Sequence, residues 1–364
     1  MQTQSPKSQN RTDLISRRHF LQLSKGAFGL GLAAVQLGLQ PARAAIVHAA
    51  SPVGVLLPQS TLYPALGAQW LSALERALPT QWRPVPMDGN WTSAKHAAES
   101  LIDERVRWVA SMADPRLTPH IAPLLAAQQV RLVSADFGAR LDDDAMDAMD
   151  VDAVSLYQWQ ANWTFGNWQA QHAGKRGFIL MSFHESGYDT PYAFQSGFES
   201  AGGEIVGTLV HDAPVAKRSM SEVIDQIRNT QPDVVYVLLQ GAAANAFVTA
   251  YRTTGLLGQL PLAGSPFVLQ AALQTLGADA AGVQSWRTWR DVTADPLTAL
   301  AKRTAQRIVG GGATDDAAIY VSEVRAQQGQ AYVASIANLG RVQQVAPLKF
   351  TGPRTGWLHS YLGI

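Results

Sequence analysis

The sequence predicts an α/β protein built as two lobes, each a parallel sheet flanked by helices. Three observations carry that prediction. Residues 178–241 read as strand, helix, strand, helix, strand, and each strand is a short run apolar on both faces, as a strand buried between helix layers must be. A second alternating set of strands and helices precedes an acidic stretch, 140–152, that reads as a surface loop. The chain beyond its first 44 residues is 320 residues long, enough for two units of roughly 150 each.

Taken in order, residues 53–58 are a buried strand ending on Pro58, and 65–78, rich in Ala and Leu with Trp70 among them, are a helix. Residues 82–86 hold two prolines, which makes them a short or edge strand. A helix over 93–105 opens on Ser93 as its cap, followed by strand 106–111, helix 119–128 and strand 130–134. The helix over 157–172 is unusually aromatic. Its Trp159 and Trp163 stand four apart and share a face, either as a packing stripe or with one ring edging a cleft.

In the central unit, strand 178–182 leads through a loop with Glu185, Gly187 and Tyr188 to a helix over 191–201. Asp189 and Thr190 precede Pro191 at its start, and Gly202 stops it. Strand 204–209, helix 220–229 and strand 234–239 follow, closing on Gln240-Gly241. Beyond lie helix 242–253, strand 260–263, a loop over 264–267, helix 270–276, strand 282–286 and helix 296–309, which Gly310-Gly311-Gly312 ends. Residues 314–327 read as one more helix, and the tail from Tyr332 alternates like short strands.

The first 44 residues read as an export leader rather than as part of the fold. Ser16-Arg17-Arg18-His19-Phe20-Leu21-Gln22 has a twin-arginine pattern, residues 27–39 are weakly hydrophobic, and Pro41-Ala42-Arg43-Ala44 ends in small-x-small spacing. Cleavage after Ala44 would leave 23 Lys/Arg against 27 Asp/Glu, a balance with no basic surface for nucleic acid. No later apolar run is long enough to span a membrane, so a soluble periplasmic protein is expected. The absence of cysteine excludes a disulfide framework and thiolate metal sites.

In parallel sheets of this kind ligands sit beyond the carboxyl ends of the strands, and two lobes facing each other by those ends make a cleft. Several segments resemble the type I periplasmic ligand-binding proteins, the branched-chain amino acid family that serves ABC transporters. They are Gly54-Val55-Leu56-Leu57-Pro58, Gly187-Tyr188 with Ala193-Phe194 and Gly197-Phe198-Glu199, Ala201-Gly202-Gly203-Glu204, and Pro232-Asp233-Val234-Val235. The resemblance covers roughly 52–289. It implies two Rossmann-like lobes joined by three crossing segments and closing about a hinge, with an inner-membrane ABC permease as partner. The expected division is 45–157 plus about 287–335 for the N-terminal lobe, and 158–286 plus about 336–364 for the C-terminal lobe.

By position, the resemblance implies ligand contacts from Tyr63, Ser111, Ser134 and Asp136 on the first lobe, and from Tyr188, Gln240 and Phe267 on the second. Hydroxyls and backbone N–H groups would orient polar atoms, while the rings would stack on apolar parts. Each serine taken alone reads equally well as a helix cap. Two departures bear on the ligand. The loop 111–116 has no second serine to grip a carboxylate, and the loop 264–267 has no acid to pair an amine. A zwitterion lacking both would lose charge-assisted contacts, so a less charged, partly aromatic or apolar solute is favoured. Asp136 or Glu185 remains able to supply an acid.

Enzyme readings find little support. His184-Glu185 starts a zinc-protease-like pattern, but Tyr188 stands where the second His is needed. No nucleophile elbow or Walker loop occurs, and the Asp-rich stretch 142–152 lacks the glycine and terminal glutamate of an EF-hand. The expectation is a monomeric solute-binding protein with no enzymatic activity, cofactor or metal. A periplasmic sensor feeding a regulator or oxidative pathway, and an exported cofactor-dependent enzyme, stand as alternatives.

Overall fold

In the computed structural model, residues 52–60, 64–113, 116–138, 151–182, 189–211, 218–310 and 317–342 are described. The leader, Tyr63, Tyr188, Glu185 and most of the acidic stretch lie outside them.

The first sheet is parallel throughout, in the order β2-β1-β3-β4-β5, from β1 (Val53–Pro58), β2 (Trp82–Met87), β3 (Trp108–Ser111), β4 (Arg131–Asp136) and β5 (Asp152–Ser155). β1 is central and almost wholly buried, as its unbroken apolar run requires. β2 is an edge strand, where Pro84 and Pro86 leave no ladder position without a donor. On one face, Trp70, Ala73 and Leu74 of α1 (Leu66–Ala77) pack with Leu300, Ala301 and Ala305 of α9 (Pro296–Ile308). On the other lie α2 (Trp91–Asp103) and α3 (Thr118–Ala126), anchored by Ala98, Leu101, Ile121 and Leu125.

The second sheet, which includes β11 (Ala318–Gln327) and β12 (Gln330–Arg341) at one edge, has the order β12-β11-β10-β9-β8-β6-β7. Its parallel part comprises β6 (Arg176–Met181), β7 (Glu204–Val210), β8 (Val234–Leu238), β9 (Leu262–Gly264) and β10 (Gln284–Arg287). α6 (Met220–Thr230), α7 (Gly241–Thr253) and α8 (Pro266–Leu276) cover one face. α4 (Gln158–His172) and α5 (Asp189–Ser200) cover the other. α4 and α5 touch backbone to backbone, because a Cβ on Gly197 would stand 1.8 Å from the Trp163 carbonyl oxygen. Trp159 is buried, and Phe165 of the same helix packs in the core of this face with Trp168 against it. Gly202, at φ +78°, ends α5 as expected, and the following N–H of Gly203 bonds back to the Phe198 carbonyl.

Four readings of the sequence need correction. Residues 318–327 are not helical but form β11 (Ala318–Gln327), paired antiparallel with β10 and with β12 (Gln330–Arg341). The alternating burial of Ile319, Val321 and Val324 and the β-branched content decide for a strand, and Gln328-Gly329, both at positive φ, make the two-residue hairpin turn. Consequently residues 318–335, assigned to the first lobe from sequence, belong to the second sheet, whereas α9 and, before it, Trp289 pack on the core of the first. β5 was missed, because four residues at the end of an acidic stretch carry too short a pattern to read as a strand. Finally, α2 begins at Trp91 and its cap is Asn90, whose Oδ1 accepts the Ser93 N–H at 2.9 Å. The Ser93 hydroxyl instead donates to Asp88.

The chain passes between the lobes three times: from β5 into α4, from β10 into α9, and from α9 into β11. Two of these passages are tied together. The Thr288 hydroxyl donates to the Leu156 carbonyl at 2.9 Å, and the Arg303 guanidinium donates to the carbonyls of Thr288 and Ser155.

Candidate functional site

Both sheets end their parallel strands toward the same region, and a cavity of about 760 Å³ opens between the lobes there. That lies within the range of small-molecule sites, roughly 300–1,000 Å³. On the first lobe it is lined by the start and outward stripe of α1 (Pro64, Gln69, Ser72, Arg76), by Phe137 just past β4, and by Asp295-Pro296 at the start of α9. On the second it is lined by Gln240 and Gly241 past β8, by Asn245 one turn into α7, and by Phe267, Gln270 and Gln274 on α8.

These positions follow from the local sequence. Gln240 is the N-cap residue of α7, so its side chain stands at the mouth rather than in the sheet. Ser265 stands at the N-cap position of α8 with Pro266 in the first turn, which sets Phe267 on the cleft side. The ring of Phe267 meets that of Phe137 edge-on, with centroids 5.7 Å apart and planes at 77°, so an aromatic contact bridges the lobes at the cavity wall. Phe267 packs against the core of the first lobe although it belongs to the second.

The polar chemistry of the wall is dominated by side-chain amides: Gln69, Gln240, Asn245, Gln270 and Gln274. Each amide offers both donors and acceptors. The acid on the wall, Asp295, is committed to α9, where its carboxylate accepts the Thr298 N–H and hydroxyl, each at 2.8 Å. The cation, Arg76, donates to Ser72 at 2.7 Å. Such a wall suits a ligand with an aromatic or apolar body and a few hydrogen-bonding groups.

Of the site residues expected from sequence, Gln240 and Phe267 line this cavity. Ser111, Ser134 and Asp136 do not. Ser111 and Ser134 are buried at strand ends, and their hydroxyls serve local structure. Ser111 accepts the Ala113 N–H at 3.2 Å, and Ser134 lies 3.3 Å from the Thr118 hydroxyl. Asp136 ends β4, and its carbonyl accepts the Leu156 N–H. Tyr63 and Tyr188 are outside the described residues. Phe137 was missed. It follows directly on a strand end already singled out, and that adjacency was the available signal. The glutamines on α1 and α8 gave no signal, because exposed Gln on a helix is ordinary.

Comparison with known proteins bears on the family and the fold. Residues 52–326 match the family described as periplasmic binding protein. A curated relative, the Leu/Ile/Val-binding protein homolog 6 of Brucella abortus (strain 2308), is 24% identical over 205 residues. Those residues are 56% of this chain, and the chain spans about half (52%) of the length of the curated relatives it matches. Among solved structures, an ABC transporter substrate-binding protein from Sphaerobacter thermophilus superposes with a TM-score of 0.63 at 19% identity, covering 80% of this chain and 98% of that one. A solute-binding protein of an ABC transporter from Rhodopseudomonas palustris HaA2, in complex with p-hydroxybenzoic acid, gives a TM-score of 0.62 at 18% identity, covering 81% and 99%. At these identities the two structures speak for the fold: two lobes of mostly parallel sheet flanked by helices.

Proposed function

This chain belongs to the periplasmic binding protein family, and on that premise we propose that it captures a small organic solute between its lobes and delivers it to an inner-membrane ABC permease. Export by the twin-arginine route, with removal of residues 1–44, delivers it to the periplasm. It binds its solute without converting it. The solute is an aromatic or partly apolar acid rather than a free amino acid. The observation that carries this reading is the Phe137–Phe267 contact at the wall of an amide-lined cavity whose acid, Asp295, is already engaged. The p-hydroxybenzoic acid held by the Rhodopseudomonas palustris neighbour is a solute of this kind. Gln240 and Phe267 contact it directly. Tyr63 and Tyr188 are assigned the same role on family position alone, while Ser111, Ser134 and Asp136, which lie outside this cavity, are given no contact with it.

Contacts from both lobes favour the closed arrangement, since a ligand shifts a two-state equilibrium only by its differential affinity for the two states. A thermal-shift screen of the mature protein against aromatic acids, amino acids, alcohols and amines tests the reading. Benzoate-type acids are expected to raise the melting temperature, because a ligand at 100 times its Kd adds about 2.7 kcal/mol to the native state. A shift with leucine-like amino acids alone would overturn the assigned solute class.

A further inference from the structure

A second cavity, about 270 Å³, lies behind the first, between α8, the β10–β11 ladder and the passage from β10 to α9. It shares Gln270, Gln274 and Asp295-Pro296 with the interlobe cavity but looks onto the sheet. The ladder supplies its polar floor through Ser285, Ser322 opposite it, and Arg287. Leu269, Leu273, Trp289 and Val292 supply apolar walls.

Arg287 is the anomaly. Only 5% of its surface is exposed, and a guanidinium keeps its charge at any ordinary pH. Buried charges are otherwise paired or coordinated. Its Nε donates to the Ser322 hydroxyl at 2.9 Å, and Nη1 donates to the carbonyls of Trp289 and Arg290, with the Tyr320 ring 4.4 Å from the guanidinium carbon. Among the described residues no carboxylate pairs with it and no acceptor takes the hydrogens of Nη2. Two acids stand nearby, and both are occupied. Asp291 is held by Lys302 at 2.8 Å and by Thr293, and Asp295 caps α9. Burial pulls the guanidinium pKa down, with Tyr320 and Asp291 opposing it.

We propose that this cavity is a second binding site, for a small organic carboxylate with a short apolar tail. Arg287 takes the carboxylate through Nη2, Ser322, whose hydroxyl accepts from Arg287, donates its own hydrogen beside it, and the apolar walls receive the tail. Because Arg287 also holds the carbonyls of Trp289 and Arg290, the site is built into a passage between the lobes.

The test is 15N NMR of arginine-labelled protein titrated with butyrate, with butyramide as the neutral isostere. The Arg287 Nε–H, protected by burial and its bond to Ser322, is assigned by its loss in Arg287→Lys. A saturable shift of that resonance with butyrate, at least fivefold larger than with butyramide, is expected. It should persist in Gln240→Ala, a residue that lines the interlobe cavity and not the second one, and vanish in Leu273→Trp, which fills the second cavity while leaving Arg287 in place. Equal responses to butyrate and butyramide, no saturable shift at all, or a shift that survives Leu273→Trp would overturn the proposal. A response lost in Gln240→Ala would assign butyrate to the interlobe cavity and equally overturn it.

Discussion

Gln240 and Phe267 do different work at the interlobe wall, and substitution should separate the two. Gln240→Ala removes hydrogen-bonding capacity at a helix cap and should weaken the best ligand of a thermal-shift screen by about 10-fold, with the ligand-free melting temperature within a degree or two of the parent. Phe267→Ala removes a ring that packs on the other lobe, so ligand affinity and basal stability should both fall, the latter by about 1–3 kcal/mol given its partial burial. Calorimetric titration and denaturant melts of the two variants check this pair. Asp291 offers a pH-dependent case. Its carboxylate is held well below the usual range by the Lys302 ammonium and then by Thr293. Its stabilisation is therefore complete above the unfolded value near 4 and fades as pH falls through the folded one. Both partners are about half exposed, so the effect is at most about 1 kcal/mol. In urea melts, Asp291→Asn should be less stable than the parent at pH 7, with the gap closing toward pH 2. Part of the cavity wall was legible in sequence. Strand ends are readable, which led to Gln240 and Phe267 and, through Asp136, to the position beside Phe137. Whether a short hydroxyl at a strand end faces a cleft or a neighbouring backbone is decided by tertiary packing, and Ser111 and Ser134 turned inward.

The elements were more legible than the site, and the exceptions have causes. Parallel strands announce themselves as apolar runs between capped helices, so the βαβαβ unit of β6, β7 and β8 stood out. The β11–β12 hairpin did not. Its Ala, Glu, Arg and Gln content favours a helix, and only alternation over Ile319, Val321 and Val324 opposes it, interrupted by a register shift between Val321 and Ser322. The contact of α4 on α5 rests on Gly166 and Gly197, where an added Cβ would meet backbone oxygen atoms at 2.2 and 1.8 Å. Gly197→Ala should therefore destabilise the protein by about 1–3 kcal/mol, against the small gain that Ala brings to an ordinary helix interior. A chemical melt that finds the variant as stable as the parent would place the helices further apart.

At the scale of the molecule, the sheet order and three passages make a protein whose two lobes can share one ligand, and Arg303 spans two passages at their junction. Arg303→Met should loosen that junction and broaden the ligand-free distribution of lobe–lobe distances. The lack of cysteine makes such distances directly measurable, since two introduced thiols take spin labels with no background. Exposed positions Glu75 on α1 and Thr275 on α8 lie on opposite lobes. The measurement that tests solute capture most directly is electron–electron distance spectroscopy on the Glu75→Cys/Thr275→Cys protein, with and without the ligand giving the largest thermal shift. Capture by closure predicts a shorter and narrower distance distribution when the ligand is bound. An unchanged distribution at saturating ligand would contradict it.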